Sequence, residues 1–361
     1  MPPSSTTTVA ASFTAIFLLL TTSSASPASR PRPFKKIYAF GDSYTDTGNT
    51  ASASGPNAFT YVSNLPYGRT FFHHPTNRYS DGRLVIDFVA ESLSLPYVPP
   101  YHNRKADTSF GVNYAVAGST AIPYGFFVKN NLTLDIQPQT LQTQLAWFSK
   151  TLEGHKCKNT KSTPNECKAV FGDALIWVGE IGANDYAYTV GSSALLNKGA
   201  KYVVVEGLPT TGCLTLSMAL ASESDRDDMG CVGSLNKQSY DHNTILQTKI
   251  QDLRKKYPQT VIVYADYWNA YRSVIKNAPR LGFKELYKVC CGSGGSPYNF
   301  DILATCGSQS SSSCQDPGQY INWDGVHLTE AMNKVVYESF LKGGFTHPPF
   351  GYVLSSKESS G

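Results

Sequence analysis

Short apolar runs alternate with longer amphipathic stretches along this chain, and this alternation constrains the fold more than any other feature of the sequence. Runs typical of buried strands occur at Ile37–Phe40, Gly111–Val116, Ala174–Val178, Tyr202–Val205 and Val261–Tyr264. Apolar residues at helical spacing predict helices over Leu84–Leu93, Gln139–Leu152, Leu235–Tyr257 and Thr329–Leu341. Continuous apolar strands connected by helices are typical of a parallel sheet that is covered on both faces. We therefore predict an α/β fold, a three-layer α/β/α sandwich.

The length and the charge of the chain limit its organisation and its partners. A chain of 361 residues can form one large domain or two ordinary ones. The sequence shows no internal repeat and no interdomain linker, so we predict a single domain over residues 36–345. The net charge is only +4, and no run of five basic residues occurs. This pattern argues against a nucleic-acid partner.

The N-terminus has the pattern of a targeting segment. No charged side chain precedes Arg30, and an apolar stretch over Val9–Leu20 is too short to span a bilayer. Small residues follow it, as a signal peptidase requires. We predict a signal peptide over residues 1–28 and a secreted protein without stable membrane insertion. Because no lysine or arginine precedes the apolar stretch, a transit peptide to an organelle stays open as the alternative.

The cysteines agree with export. An even number in an exported chain predicts disulfides, and this sequence has eight: Cys157, Cys167, Cys213, Cys231, Cys290, Cys291, Cys306 and Cys314. We expect Cys290 and Cys291 to pair with Cys306 and Cys314, in either combination. Local loops would join Cys157 to Cys167 and Cys213 to Cys231. The only N-x-S/T acceptor makes Asn131 a candidate glycosylation site.

Chemically active residue types follow the predicted strands, where open parallel sheets place their sites. The first strand leads into Gly41-Asp42-Ser43, and the second into Ala117-Gly118-Ser119. The third leads into Gly179 to Asp185, and a late loop carries Trp323 to Leu328. A serine, a glycine, an asparagine and an Asp/His pair in these places are the parts of a nucleophilic hydrolase.

Four ordered blocks carry a resemblance to a known family. They are FGDSYTDTGN, NYAVAGST, GEIGANDY and DGVHLTE. They resemble the GDSL esterases and lipases, also called SGNH hydrolases, in the secreted plant subgroup. The G-x-S-x-G signature of the common α/β-hydrolases is absent. The resemblance covers nearly all of the chain after residue 36 and implies a parallel, flavodoxin-like sheet, the SGNH hydrolase fold.

The resemblance also implies a role for each site residue. Ser43 would be the nucleophile, His327 its general base and later general acid, and Asp324 the residue that orients His327. The oxyanion hole would consist of the backbone N–H groups of Ser43 and Gly118 and the side-chain amide of Asn184. The implied reaction is hydrolysis of a small-molecule carboxylic ester through an acyl-enzyme. It needs no metal and no cofactor, and we expect a monomer.

Each of these residues has a simpler interpretation when it is taken alone. Ser43 would suit a helix N-cap, and Gly118 or Asn184 would suit a tight turn. His327 would be a satisfied histidine, as we expect for the other six histidines of the chain. The order of the four blocks outweighs these interpretations.

Two further segments bear on the site. We expect Asp46 and Asn49 to brace the turn that carries Ser43. The aromatic segment from Tyr264 to Trp268 would suit a substrate pocket, but we predict that it packs in the core.

The connection between the third and fourth strands is unusually short. Only Thr189–Ala200 separates Tyr188 from Lys201, and a parallel crossover needs about a dozen residues, usually with a helix. We therefore predict a mostly extended link that leaves part of one sheet face exposed. Two alternatives to hydrolysis stay open: an acyltransferase that uses the same triad, and a non-catalytic binding protein inactivated by this link.

Overall fold

The central sheet of this computed structural model contains the five predicted strands and one more. The structure describes residues 33–51, 60–129, 139–154, 157, 170–184, 199–295 and 297–359. Its strands are β1 (Lys36–Phe40), β2 (Gly111–Asn113), β3 (Ala174–Val178), β4 (Tyr202–Glu206), β5 (Val261–Ala265), β6 (Glu285–Val289), β7 (Cys291–Gly292), β8 (Ser312–Ser313), β9 (Tyr320–Asn322) and β10 (Thr346–His347). The central sheet has the order β10-β5-β4-β3-β1-β2. Strands β1 to β5 are mutually parallel, in the flavodoxin-like order 2-1-3-4-5.

An antiparallel strand completes the sheet at one edge. Strand β10 pairs Thr346 with Ala265 and His347 with Tyr264. The sheet therefore continues past residue 345, where the sequence placed the end of the domain. The unit that contains the sheet extends from Arg32 to Gly361. A strand of two residues without an apolar run gives no signal of its own in the sequence.

Helices cover both faces of the sheet, as predicted. They are α1 (Val85–Ser92), α2 (Tyr124–Lys129), α3 (Leu141–Gly154), α4 (Thr215–Leu220), α5 (Gly233–Lys256), α6 (Tyr267–Leu281), α7 (Glu330–Leu341) and α8 (Phe350–Ser359). Alternate residues of each strand point to opposite faces. Ile37 and Ala39 of β1 pack with α1, α6, α7 and α8. Tyr38 and Phe40 pack with α3 and α5 on the other face. The three-layer α/β/α prediction is confirmed.

The sequence did not predict helix α6. Its first turn is aromatic, and Pro279 lies in its last turn, so its apolar spacing was not recognised. Asp266 caps the helix by accepting a hydrogen bond from the backbone N–H of Asn269 at 3.1 Å. Tyr264 and Tyr267 are buried in the core, which confirms that this aromatic segment packs rather than forming a pocket wall.

The faces of strands β3 and β4 are fully covered. Ten residues of the short link, 189–198, lie outside the described residues, so the extended link stays a prediction. The prediction that part of the sheet face is exposed is wrong, because every residue of β3 and β4 is buried. Phe148 and Leu152 of α3 and Leu246 and Ile250 of α5 pack in the same cluster as the β4 side chains on that face.

A smaller region outside the central sheet carries two disulfides. Strands β6 and β9 form a parallel pair, and β7 pairs with β8. The disulfides join Cys290 to Cys314 and Cys291 to Cys306, and Cys213 is joined to Cys231. Cys157 is also disulfide-bonded, whereas Cys167 lies outside the described residues. The predicted pairings are therefore confirmed for Cys213 with Cys231 and for Cys290 and Cys291 with Cys314 and Cys306, whereas the pairing of Cys157 with Cys167 stays a prediction.

The remaining sequence predictions concern membrane insertion, the N-terminal segment and the glycosylation site. Within the described ranges, no helix is long and apolar enough to cross a membrane. The segment over residues 1–28 and the candidate glycosylation site Asn131 lie outside those ranges.

Candidate active site

The candidate site lies at the point where the sheet changes direction. From β1 the chain continues to β2 on one side, and later strands extend on the other side beyond β3. A crevice forms at such a switch point, outside the carboxyl ends of the strands. Ser43 follows β1, and Asn184 follows β3. The topology therefore brings these two predicted site residues to the same edge of the sheet.

The turn that carries Ser43 is braced by buried hydrogen bonds. Asp46 accepts hydrogen bonds from the backbone N–H groups of Gly48, Asn49 and Thr50 at 2.8, 2.6 and 3.0 Å. It also accepts one from Ala117 N at 3.1 Å, which ties the turn to the Gly118 segment. The Asn49 amide donates to two backbone carbonyls that follow or end β2, at 2.8 Å each. The predicted bracing role of Asp46 and Asn49 is confirmed.

Glycine is required at the start of this turn. Gly41 has a φ of 144°, in the region that disfavours side chains. A Cβ atom there would lie 3.2 Å from both the Glu180 carbonyl oxygen and the Thr45 side chain. The absence of a side chain allows the segments after β1 and β3 to approach closely, and this brings the Ser43 turn against the loop of Asn184.

His327 and Asp324 form a buried acid–base pair. The ring Nδ1 of His327 lies 2.9 Å from Asp324 Oδ1 and 2.8 Å from Oδ2. Burial alone would raise the pKa of Asp324, but the positive form of His327 and several hydrogen bonds hold that pKa below its ordinary value. Asp324 is therefore an ionised acceptor, and Nδ1 carries the shared proton. In this tautomer Nε2 of His327 carries no hydrogen, so it is the ring nitrogen that can accept a proton.

Two buried tyrosines hold this pair in place. The Tyr67 hydroxyl donates to Asp324 Oδ2 at 2.7 Å. The ring of Tyr79 lies over the His327 imidazole, with 4.6 Å between the ring centroids. Both side chains belong to a small core with Trp323 and the disulfide-bonded Cys290 and Cys291. The orientation of the acid–base pair thus depends on the packing of the disulfide-bonded region.

The Ser43 turn and the His327 loop meet through Tyr44. The Tyr44 hydroxyl donates to the backbone carbonyl of Val326 at 2.7 Å. Its ring centroid lies 5.9 Å from that of His327. Tyr44 is adjacent to Ser43 in sequence, and Val326 is adjacent to His327. One hydrogen bond therefore joins the segments of the predicted nucleophile and the predicted base.

The three predicted oxyanion-hole donors converge as well. The Asn184 amide donates to Asp42 Oδ2 at 2.7 Å and to Ser119 O at 3.0 Å. These partners precede Ser43 and follow Gly118, so the amide lies between the two backbone segments. Within the described residues, the N–H groups of Ser43 and Gly118 donate to no protein acceptor. Two backbone donors are thus available, and the Asn184 amide must exchange one bond before it can donate to a substrate.

Three buried carboxyl groups lie beneath these donors. Asp42, Glu180 and Glu206 follow or end the adjacent strands β1, β3 and β4. Burial raises the pKa of Asp42 to about 6, although hydrogen bonds and the nearby His327 oppose this shift. Burial also raises the pKa of Glu206 to about 8. Glu206 therefore keeps its proton at neutral pH.

Sequence reasoning missed several residues of this site. Tyr67, Tyr79 and Glu206 lie outside the recognised blocks, and no local pattern distinguishes them from core residues. Asp42 and Glu180 lie inside blocks but received no role. An acidic residue at the end of an otherwise apolar strand was the available signal for Glu206. Within the described residues, no group of His, Cys, Asp and Glu is arranged to hold a metal ion.

Comparison with known proteins agrees with this fold and with the four blocks. Residues 37–340 match the family model for the GDSL-like lipase/acylhydrolase. The chain is 55% identical over 352 residues to the GDSL esterase/lipase At3g48460 of Arabidopsis thaliana, covering 90% of each protein. It is 40% identical over 350 residues to the GDSL esterase/lipase At1g28600 of the same plant, covering 88% of this chain and 86% of the relative.

This chain therefore belongs to the GDSL-like lipase/acylhydrolase family. As a member of this family it is a serine hydrolase that acts on ester bonds. The resemblance noted in its four sequence blocks is confirmed across the whole domain.

Proposed function

We propose that this protein hydrolyses small-molecule carboxylic esters through an acyl-enzyme on Ser43. The observation that carries the proposal is the hydrogen bond from Tyr44 to Val326, because it brings the Asp324–His327 pair to the Ser43 turn. Ser43 itself is buried apart from 7% of its surface. A serine hydroxyl is a weak nucleophile until a base removes its proton, so this proximity is what the chemistry requires.

The first half of the reaction forms the acyl-enzyme. Nε2 of His327 takes the Ser43 proton as the serine oxygen bonds to the ester carbonyl carbon. Asp324 stabilises the imidazolium that results. The carbonyl oxygen becomes an oxyanion and accepts hydrogen bonds from the N–H groups of Ser43 and Gly118 and from the Asn184 amide. His327 then protonates the leaving alkoxide as its bond to the acyl carbon breaks.

The second half of the reaction releases the acid. His327 removes a proton from a water molecule, and the hydroxide oxygen bonds to the acyl carbon. The same donors stabilise the second oxyanion. The bond to Ser43 breaks, and His327 returns the proton to the serine oxygen. Every proton transfer therefore passes through one imidazole nitrogen.

The proposed esterase is an extracellular enzyme. We propose that residues 1–28 are removed as a signal peptide and that the mature enzyme is a secreted monomer, glycosylated at Asn131. The disulfides support it, since such bonds persist in oxidising compartments. N-terminal sequencing of the exported protein should begin at Ser29. An intracellular protein with free thiols would contradict the proposal.

Ester hydrolysis by matched variants tests the catalytic proposal. The Ser43→Ala enzyme should lose activity toward p-nitrophenyl esters by about 10⁴-fold or more, while its melting temperature stays close to that of the wild type. Ser355→Ala is the control, because that serine is exposed on α8 and bonds only Tyr352 O in the described structure. Residual turnover of Ser43→Ala above a few per cent would exclude Ser43 as the nucleophile.

A further inference from the structure

The buried carboxyl groups beneath the site form a continuous chain of contacts. Glu206 Oε2 accepts a hydrogen bond from the backbone N–H of Glu180 at 2.9 Å. Glu180 Oε1 accepts one from Ala183 N at 2.9 Å, which shapes the loop that carries Asn184. The backbone carbonyl of Glu180 accepts a hydrogen bond from Asp42 N at 3.2 Å. Asp42 in turn accepts from Asn184 and from Tyr44 N, at 2.7 and 3.0 Å.

The carboxyl groups at the two ends of this chain of contacts belong to Asp42 and Glu206, and both are buried. Within the described residues, no lysine or arginine forms an ion pair with Asp42 or Glu206.

The other titratable groups near this cluster are mostly neutral phenols. The groups that act on its carboxyls, or are acted on by them, are Tyr44, Tyr267 and His327. Tyr271 acts on both of these tyrosines. The Tyr264 hydroxyl lies near Gly207, directly after β4. Burial raises the pKa of each of these tyrosines, so they stay neutral over the range in which the enzyme works. An ionised Glu206 would therefore face the Asp42 anion with no compensating lysine or arginine.

We propose that Asp42, Glu180 and Glu206 are a network of positioning residues that sets the Ser43 turn and the Asn184 amide relative to each other. The network keeps this geometry only while Glu206 is protonated. This inference rests on the proposed function of Ser43 and Asn184. Asp42 orients the amide of Asn184. It also adds a second negative charge, besides that of Asp324, near the His327 cation.

The alkaline pH dependence of the reaction tests the role of Glu206. The rate at which a fluorophosphonate labels Ser43 in the wild-type enzyme should fall above about pH 8. Glu206→Gln keeps the side-chain oxygen that accepts from Glu180 N but cannot ionise. Its labelling rate should therefore stay high above that pH. An identical alkaline fall in both enzymes, or no fall in the wild type, would overturn the proposal.

A control and a stability measurement separate this role from a general effect of burial. Asp81→Asn removes another buried carboxyl, one that bonds Glu330 N and Thr70 rather than the Ser43 turn. It should leave the alkaline fall unchanged.

Because the pKa of Glu206 is raised on folding, its contribution to stability is present below about pH 4.5 and is lost as pH rises toward about 8. The melting temperature of Glu206→Gln, relative to that of the wild type, should therefore be higher at about pH 8 than at about pH 4.5. An equal difference in melting temperature at the two pH values would contradict the claim that Glu206 is buried in its neutral form.

A pair of variants at Glu180 tests positioning directly. Glu180→Gln can still accept from Ala183 N, whereas Glu180→Ala cannot. We expect Glu180→Ala to lower kcat by about 100-fold with a smaller change in KM, and Glu180→Gln to retain most of the rate. Equal losses in both variants would overturn the proposal. If Glu180→Ala does not fold, the Glu206→Gln profile still decides the question.

Peptide mapping distinguishes failure of the network from failure of the proposed function. A fluorophosphonate adduct on Ser43 with an unchanged pH profile in Glu206→Gln would reject only the network. An adduct on another residue, or no adduct on the folded wild-type enzyme, would reject the proposed function as well.

Discussion

The nucleophile half of the candidate site lies at the carboxyl ends of the central strands, whereas the acid–base half lies on a loop outside the central sheet. The nucleophile half comprises the turn from Asp42 to Asn49, together with Gly118 and Asn184. Backbone N–H groups and buried carboxylates hold it. The sheet that positions these segments is buried on both faces.

The acid–base half, residues Trp323 to Leu328, depends on different contacts. The backbone N–H of Cys291 donates to Trp323 O at 2.8 Å, and Cys290 N donates to Asn322 O at 3.0 Å. Two disulfides tie these cysteines to the loop before β9. We therefore expect the nucleophile half to keep its geometry when the disulfides are reduced, and the acid–base half to lose its geometry.

The largest expected effect of a single conservative substitution in the acid–base half is at Asp324. Asp324→Asn keeps the shape of the side chain but removes the charge and favours the wrong tautomer of His327. We expect kcat to fall by about 10⁴-fold. Asp241→Asn, on the exposed surface of α5, is the control. Steady-state hydrolysis of a p-nitrophenyl ester measures both, and a loss below tenfold at Asp324 would remove it from the proposed triad.

Removal of single disulfides should lower kcat only when the disulfide supports the acid–base half. Replacing Cys290 and Cys314 by serine should cost about 2–5 kcal/mol of unfolding free energy and should lower kcat of the folded enzyme by about 10- to 100-fold. Replacing Cys213 and Cys231 should destabilise similarly but leave kcat of the folded enzyme nearly unchanged, because that bond belongs to the main core. Denaturant unfolding and activity at low denaturant give the two quantities. Equal effects on kcat would mean that the disulfides do not distinguish the halves.

A smaller effect is expected from the hydroxyl that orients Asp324. Tyr67→Phe removes one hydrogen bond to a buried carboxylate, and such bonds contribute about 1.5–3 kcal/mol. We expect kcat/KM to fall by about tenfold, with KM little changed. Tyr271→Phe is the control, since it removes a hydroxyl that is also buried but has no hydrogen-bond partner among the described residues. Similar losses in both variants would show that packing, and not the Tyr67 hydrogen bond, holds Asp324.

The smallest effect on catalysis is expected in the brace of the nucleophile half. Asn49→Ala removes two amide donations to backbone carbonyls and should cost roughly 1–3 kcal/mol of stability. The turn keeps the four hydrogen bonds to Asp46, so kcat/KM should change less than it does in Tyr67→Phe. Thermal unfolding and ester hydrolysis test both parts. A catalytic loss larger than that of Tyr67→Phe would mean that Asn49 helps to position Ser43.

The sequence predicted the nucleophile half better than the acid–base half. Each central strand is a continuous apolar run, and chemically active residues follow the strands directly, so local patterns were sufficient. Strand order and the approach of the Ser43 and Asn184 segments then follow from the topology. The family resemblance supplied the roles that local patterns leave open.

The supports of the acid–base half could not be predicted because they are distant in sequence. Tyr67 lies 257 residues from the Asp324 that it bonds. Nothing in the sequence around Tyr67 or Tyr79 indicates this contact, because the local sequence of a buried tyrosine does not show whether its hydroxyl bonds a site residue. The exposed face expected from the short link was wrong for a related reason: α3 and α5 cover it, and helix packing across a sheet is not encoded near the link.

The central claim is that both halves meet at one serine, and covalent labelling tests it most directly. The mature enzyme is treated with a fluorophosphonate and mapped by mass spectrometry, with His327→Gln treated in parallel. The account predicts a single adduct on Ser43 in the wild type and labelling slowed by about 10³-fold or more in His327→Gln. An adduct on another serine, no adduct on the folded enzyme, or equal labelling in both would contradict it.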